Sequence, residues 1–175
     1  MSQHHAAATN ITNKNQRQAL MTRGHCVEWK SGIIMCIGLL GLLGCAGDRP
    51  TNLGIRDGAL APCPGSPNCV SSQATDEGHR ISPLVIHGDP DVAFARLTQL
   101  IGSRNGATII YESSGYLRVE LRTALFVDDA EFLLDREQRV VHVRSASRIG
   151  YSDLGKNRRR MEDIRTLFLR KEQRQ

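Results

Sequence analysis

Two stretches of this chain carry residue types that can do chemistry. One is Cys63-Pro64-Gly65-Ser66-Pro67-Asn68-Cys69-Val70-Ser71-Ser72, a cysteine pair around a proline- and glycine-rich turn. A metal clip, a reactive thiol and a disulfide are the chemistries such a pair offers. The other stretch runs from Asp128 to Arg160 and mixes carboxylates, serines, asparagine and arginines, the groups that recognise anions or build buried ion networks.

Three catalytic readings of these residues fail on geometry. His142 with Ser145 or Ser147 looks triad-like, but on a strand their odd and even positions face opposite ways. Asp128 and Asp129 are adjacent and also diverge, so they form no carboxylate dyad. Zinc held by Cys63, Cys69 and histidines such as His79 or His87 lacks a recognisable ligand spacing, and no metal or cofactor is expected. No phosphate-cradling glycine loop or dinucleotide fingerprint is present.

The elements that position these residues begin after an N-terminal leader. Residues 1–20 are polar without apolar periodicity and are expected to be a disordered or non-native extension, with Met21 as the start. Residues 21–44 read as a secretory signal, with Arg23, His25 and Lys30 ahead of the short apolar run from Gly32 to Gly44. That run is too short to cross a bilayer, for which about 20 residues are needed. Leu42-Leu43-Gly44-Cys45 resembles the lipobox of bacterial lipoproteins, although Leu43 departs from the small residue preferred there. The resemblance implies that Cys45 is lipidated and becomes the first residue. Ala46, in place of an aspartate, implies the outer rather than the inner membrane, facing the periplasm.

This reading settles the cysteines. Cys26 and Cys36 leave with the signal and Cys45 carries lipid, so Cys63 and Cys69 have only each other in an oxidising compartment. A disulfide is expected. Closing so short a loop stabilises by roughly 2–2.5 kcal/mol in the chain-entropy picture.

Residues 45–61 are expected to be a flexible lipidated tether, and 62–171 a single domain. The cysteine loop reads as irregular through Gly78, and Ile81 to Ile86 as a short strand. Asp89-Pro90 opens a helix, aspartate as cap and proline in the first turn, with Ala93, Leu97, Leu100 and Ile101 on its apolar face. Ala107 to Ser113 and Tyr116 to Thr123 form a hairpin about Ser114-Gly115. In the second strand Leu117, Val119 and Leu121 face the core, while Arg118, Glu120 and Arg122 face water.

A second hairpin, Asp128 to Asp135 with Val140 to Ser147, fixes its own register. Pairing Asp135 with Val140 sets Leu134 opposite Val141 and Phe132 opposite Val143 on one face. Glu131 then meets Arg144 on the other, and a one-residue slip ruins both matches. Lys156 to Leu169 is a helix with Met161, Ile164, Leu167 and Phe168 as its stripe. The fold class is α+β: an antiparallel sheet of about four to five strands with two helices packed on one face.

Carried to its open end, this register brings Ala130 to Ser145 and Asp128 to Ser147 on the core side. Asn157 projects from the stripe of the last helix, Arg158 and Arg160 flank it, and Arg159 points away. Asp128, Ser145, Ser147, Asn157, Arg158 and Arg160 are therefore expected to gather where this helix begins. Arg144 and Arg148 share the parity of His142 and belong on the outer face unless a twist near Gly150 brings Arg148 round. Lys156, Arg158, Arg159 and Arg160 crowd a helix start, where cations are unfavourable. An anion bound by free N–H groups and arginines is one explanation. A structural network with Asp128, Asp129 and Asp153 is the other.

Charge supports a local reading. The chain carries a formal +5, and Lys156 to Gln175 alone has eight basic residues against three acidic. The excess belongs to one helix, and with 5% aromatics nothing points to nucleic acid.

The motifs CPGSPNCVSS, FVDDAEF (Phe126 to Phe132) and RSASRIGYSDLGKNRRR (Arg144 to Arg160) resemble the domain of unknown function 1499, over Leu60 to Leu169. The resemblance implies an envelope-targeted or membrane-associated protein and supplies no activity. Its motif residues include Asp128, Asp129, Arg144, Ser145, Ser147, Arg148, Asn157, Arg158 and Arg160, while Arg159 is a variable position. The expectation is a lipid-anchored envelope protein whose domain binds an anionic small molecule or an envelope protein, with Asp128, Arg144, Ser145, Ser147, Arg148, Asn157, Arg158 and Arg160 as the binding set. The rivals are an envelope hydrolase or thiol enzyme using Cys69, and a non-catalytic subunit of a membrane complex.

Overall fold

The computed structural model describes residues 47–173. The expectations for 1–20, for the signal at 21–44 and for Cys45 fall outside them. A small hairpin, β1 (Ile55–Arg56) and β2 (Ala59–Leu60), precedes the main sheet. The sheet contains β3 (Cys69–Ser71), β4 (Leu84–Val85), β5 (Ala107–Ser113), β6 (Tyr116–Arg122), β7 (Val127–Asp135) and β8 (Val140–Ser147). Helix α1 (Pro90–Gly102) lies between β4 and β5, and α2 (Lys156–Glu172) follows β8.

The sheet is antiparallel, in the order β3-β8-β7-β6-β5, with β4 sharing the β8 edge with β3. It therefore has six strands where about four to five were expected. The extra one is β3, which lies in the stretch read as irregular and pairs Val70 with Ser145. Its motif residues are loop-forming on one side and strand-forming on the other. The expected strand from Ile81 to Ile86 contracts to Leu84–Val85, although Ile81 and Ile86 are both buried.

The β7–β8 register is the expected one throughout, from Asp128 opposite Ser147 to Asp135 opposite Val140. Helix α1 starts as its sequence dictates: the Asp89 carboxylate accepts from the amides of Asp91 and Val92, each at 3.0 Å. Both helices pack on one sheet face. Phe94, Leu97 and Ile101 from α1, and Met161, Ile164 and Phe168 from α2, meet Leu117, Val119, Phe132, Val141 and Val143. Each such side chain contributes roughly 1.5–3 kcal/mol by leaving water. Leu167 stays at the surface, one position off the stripe.

The other face is not the wet face expected. Residues 47–61, expected as a free tether, cross it in the described part of the chain. The Gly54 amide donates to Glu131 at 2.7 Å, Arg49 reaches Glu120, and Leu60 and Ala61 are buried. Weak apolar periodicity hid this strap, because hydrogen bonds and ion pairs fasten it rather than an apolar stripe. Cys63 and Cys69 are joined in a disulfide, with Cα atoms 5.7 Å apart.

Candidate functional site

Glu120 and Asp129 stand directly opposite each other on neighbouring strands, a like-charge pair under the strap. Both are almost fully buried, which demands cations. Arg148, just past β8, answers with a forked contact. Its Nε and Nη2 donate to Asp129 at 2.7 and 2.8 Å, and Nη2 also donates to Glu120 at 2.6 Å. Arg49 and Arg122 donate to Glu120 as well. Burial would raise the Glu120 pKa, but these donors outweigh it and hold the carboxyl at about 2. The Arg148 guanidinium is driven further toward its charged form, chiefly by Asp129.

Glu131, fully buried on the same face, accepts from the Tyr116 hydroxyl at 2.6 Å and, at 3.4 Å, from Arg144. Burial and this carboxylate push the Tyr116 hydroxyl well above its ordinary range. His142 also lies here. Its partner is Ser72, with Nδ1 and Oγ 3.2 Å apart, and neither Ser145 nor Ser147.

The inner edge carries a second cluster, built around Asn157. This side chain is fully buried in the first turn of α2. It accepts from the Ser145 hydroxyl at 2.5 Å and donates to Ser147 Oγ at 2.9 Å and to the Asn68 carbonyl at 3.0 Å. Both of its amide donors and its oxygen are thus engaged. Asn68 in turn donates to the Gly150 carbonyl at 2.6 Å, so the disulfide loop, the end of β8 and the start of α2 are tied at one point. Beside this hub Arg160 donates to Asp128 Oδ2 at 2.6 Å. Asp128 Oδ1 is shut from solvent and has no hydrogen-bond partner among the described residues.

Two concavities flank the start of α2. A cavity of about 410 Å³ is bordered by Phe126, Asp128, Ser147, Ile149 and Leu154, and by Lys156 and Arg159. A cleft of about 340 Å³ shares Lys156 and Arg159 and adds Arg104, Arg122, Arg160 and Asp163. The Lys156 ammonium lies 5.9 Å from the centre of the Phe126 ring. Among the described residues Arg104, Lys156 and Arg159 have no carboxylate within 4 Å.

The structure therefore divides the expected set. Asp128, Ser145, Ser147, Asn157 and Arg160 come together as the sequence implies. Arg144 and Arg148 lie on the outer face, each against carboxylates. Arg158 turns to the loop before β4, donating to the carbonyls of Arg80 and Gly78 at 2.6 and 2.7 Å. The helix start is also less open than expected. Asp153 accepts from the amides of Gly155 and Asn157 at 2.9 and 2.6 Å, so a carboxylate of the chain itself already occupies it. Sequence reasoning missed Arg104, Lys156 and Arg159 as a group facing one cleft. The signal present for Lys156 and Arg159 was the charge run Lys156, Arg158, Arg159 and Arg160, with no acidic residue in the first turn; Arg104, just past α1, carried none.

The family model for a protein of unknown function (DUF1499) matches residues 59–168. The chain belongs to this family. No curated protein and no solved structure matches it.

Proposed function

We propose that this DUF1499 protein is a lipid-anchored component of the cell envelope whose domain binds an anionic ligand in the cleft at the start of α2. The anchor is Cys45, by the lipobox-like Leu42 to Cys45, and the domain faces the periplasm from the outer membrane. The observation that carries the binding reading is the trio Arg104, Lys156 and Arg159, which border one cleft without carboxylate partners among the described residues. Guanidinium groups in that state offer forked hydrogen bonds to phosphate or carboxylate. The binding set thus moves from the expected residues to Arg104, Lys156 and Arg159, with Asp128, Ser145, Ser147, Asn157 and Arg160 as the scaffold that holds α2 in place. The thiol-enzyme alternative loses its nucleophile, since Cys69 is in the disulfide and buried.

Calorimetric titration with inorganic pyrophosphate tests the binding reading. The protein is expected to bind it, and Lys156→Gln combined with Arg159→Gln to weaken binding at least tenfold, about 1.4 kcal/mol. Equal affinity in both proteins sinks the cleft as the site. Membrane fractionation of Cys45→Ala tests the anchor, which requires that no acylated form be recovered.

A further inference from the structure

The strap that crosses the outer face starts beside the cavity at the start of α2. Gly47 is in the left-handed region, φ +66°, and a Cβ there would lie 2.7 Å from Ile149 Cγ2 and 3.0 Å from Arg148 Cβ. Its backbone thus rests directly on the Arg148–Ile149 segment, and Ile149 borders the 410 Å³ cavity. Only Ala46 separates Gly47 from Cys45. Two residue steps reach at most about 7 Å. A bilayer holding Cys45 by its acyl chains must therefore lie against this end of the domain.

The side chains at this end suit that neighbour. Leu125, Phe126, Tyr151 and Leu154 are 71, 42, 76 and 84% exposed. They come from the β6–β7 turn and the β8–α2 loop, which meet at the same edge of the sheet. Large apolar side chains grouped in solvent mark an interaction surface. Lys156 and Arg159 border the same cavity as Phe126 and Leu154, and Arg104 lines the adjoining cleft. Apolar tips beside cations complement an anionic bilayer. The opposite end, at the start of α1, carries the paired Arg136 and Asp91 instead.

We propose that the end of the domain bearing Leu125, Phe126, Tyr151 and Leu154 docks on a bilayer containing anionic phospholipid. The four side chains enter the interface, and Lys156, Arg159 and Arg104 meet the lipid phosphates. The inference rests on the lipid anchor at Cys45 and names the anion of the cleft as a headgroup of the membrane that holds the protein.

With Cys45 acylated and Cys63 bonded to Cys69, an introduced cysteine is the one free thiol of the mature chain. A fluorophore is placed at Tyr151→Cys or, as the distal control, at Val92→Cys in the first turn of α1. The full-length protein is expressed, processed and purified from membranes. It is then reconstituted in phosphatidylcholine–phosphatidylglycerol vesicles whose acyl chains carry a nitroxide quencher. The label at 151 is expected to be quenched at least threefold more than the label at 92. Removing phosphatidylglycerol, or adding Lys156→Gln with Arg159→Gln, is expected to lower quenching at 151 toward the control. Equal quenching at the two positions, or quenching at 151 indifferent to both changes, overturns docking. The mass of the N-terminal peptide reports acylation separately, and a peptide without acyl chains removes the premise and the proposal with it. Pyrophosphate binding that persists while the 151 label stays unquenched keeps the anion cleft and rejects the bilayer as its occupant.

Discussion

Arg148 and Arg159 carry the same guanidinium, and the fold places them in opposite circumstances. Arg148 is sealed under the strap with two carboxylates and is almost inaccessible. Arg159 lies in the open at the start of α2, held by one hydrogen bond to the Leu154 carbonyl at 2.8 Å. On the outer face Glu120, Asp129 and Glu131 were buried by the strap and required cations, so the arginines there are structural. At the cleft Lys156 and Arg159 answer no such requirement and sit at a helix start, where the dipole disfavours them. A charge that meets no carboxylate among the described residues is the better candidate for recognising something outside them.

The sharpest way to break this comparison is to remove Arg148. Arg148→Met keeps much of the volume but leaves Asp129 without its partner and Glu120 with fewer donors. A buried pair broken from one side costs about 3–5 kcal/mol, here a fall in Tm of roughly 10–20 °C. Thermal unfolding followed by circular dichroism measures it. A loss below about 1 kcal/mol would mean that the outer face relaxes to water and is no sealed network.

Acid probes the same face more gently. The Glu120 carboxyl has a pKa of about 2 when folded against 4.5 as the ordinary value. A depressed carboxylate stabilises the fold fully above its unfolded pKa and ceases to do so as pH falls through the folded one. The window is therefore pH 4.5 down to about 2, and the contribution on the order of 3 kcal/mol. Urea unfolding at steps across this window is expected to show stability falling with pH. The slope should be shallower in Glu120→Gln, and an identical slope in the variant would move the acid-sensitive group elsewhere.

The difference between the faces also explains what the sequence could reveal. The β7–β8 register was legible because both strands carry mixed faces, so apolar pairs and the Glu131–Arg144 pair agree on one alignment. Asn157 was legible because one turn of helix places it in an apolar stripe. The burial of Glu120 was not, because its cover comes from residues far away in the chain with little periodicity of their own. The clue available was Glu120 opposite Asp129, two carboxylates whose repulsion only a third residue can relieve. The helical wheel points Arg159 away from the core, and it does leave the core. A long side chain on the first turn nonetheless reaches round the helix start to two concavities, which a helical wheel does not represent.

The smallest effect is the one that separates the two regions best, because its sign should reverse. In Lys156→Gln with Arg159→Gln no carboxylate is left unpaired, and the losses are one exposed hydrogen bond to the Leu154 carbonyl and the distant contact of the Lys156 ammonium with the Phe126 ring. Against those losses, two cations leave the first turn of α2, where each opposes the helix dipole by about 0.3–1 kcal/mol. The two contributions leave stability unchanged or raised, within about 0.5–1 kcal/mol of the parent. Melting the variant beside Arg148→Met under the same buffer compares the regions directly. A gain or no change in one and a large loss in the other is the expected pair. If the double variant instead loses more than about 1 kcal/mol, its cations are structural like those of the outer face. The cleft would then keep only Arg104 as an unengaged charge with which to hold an anion.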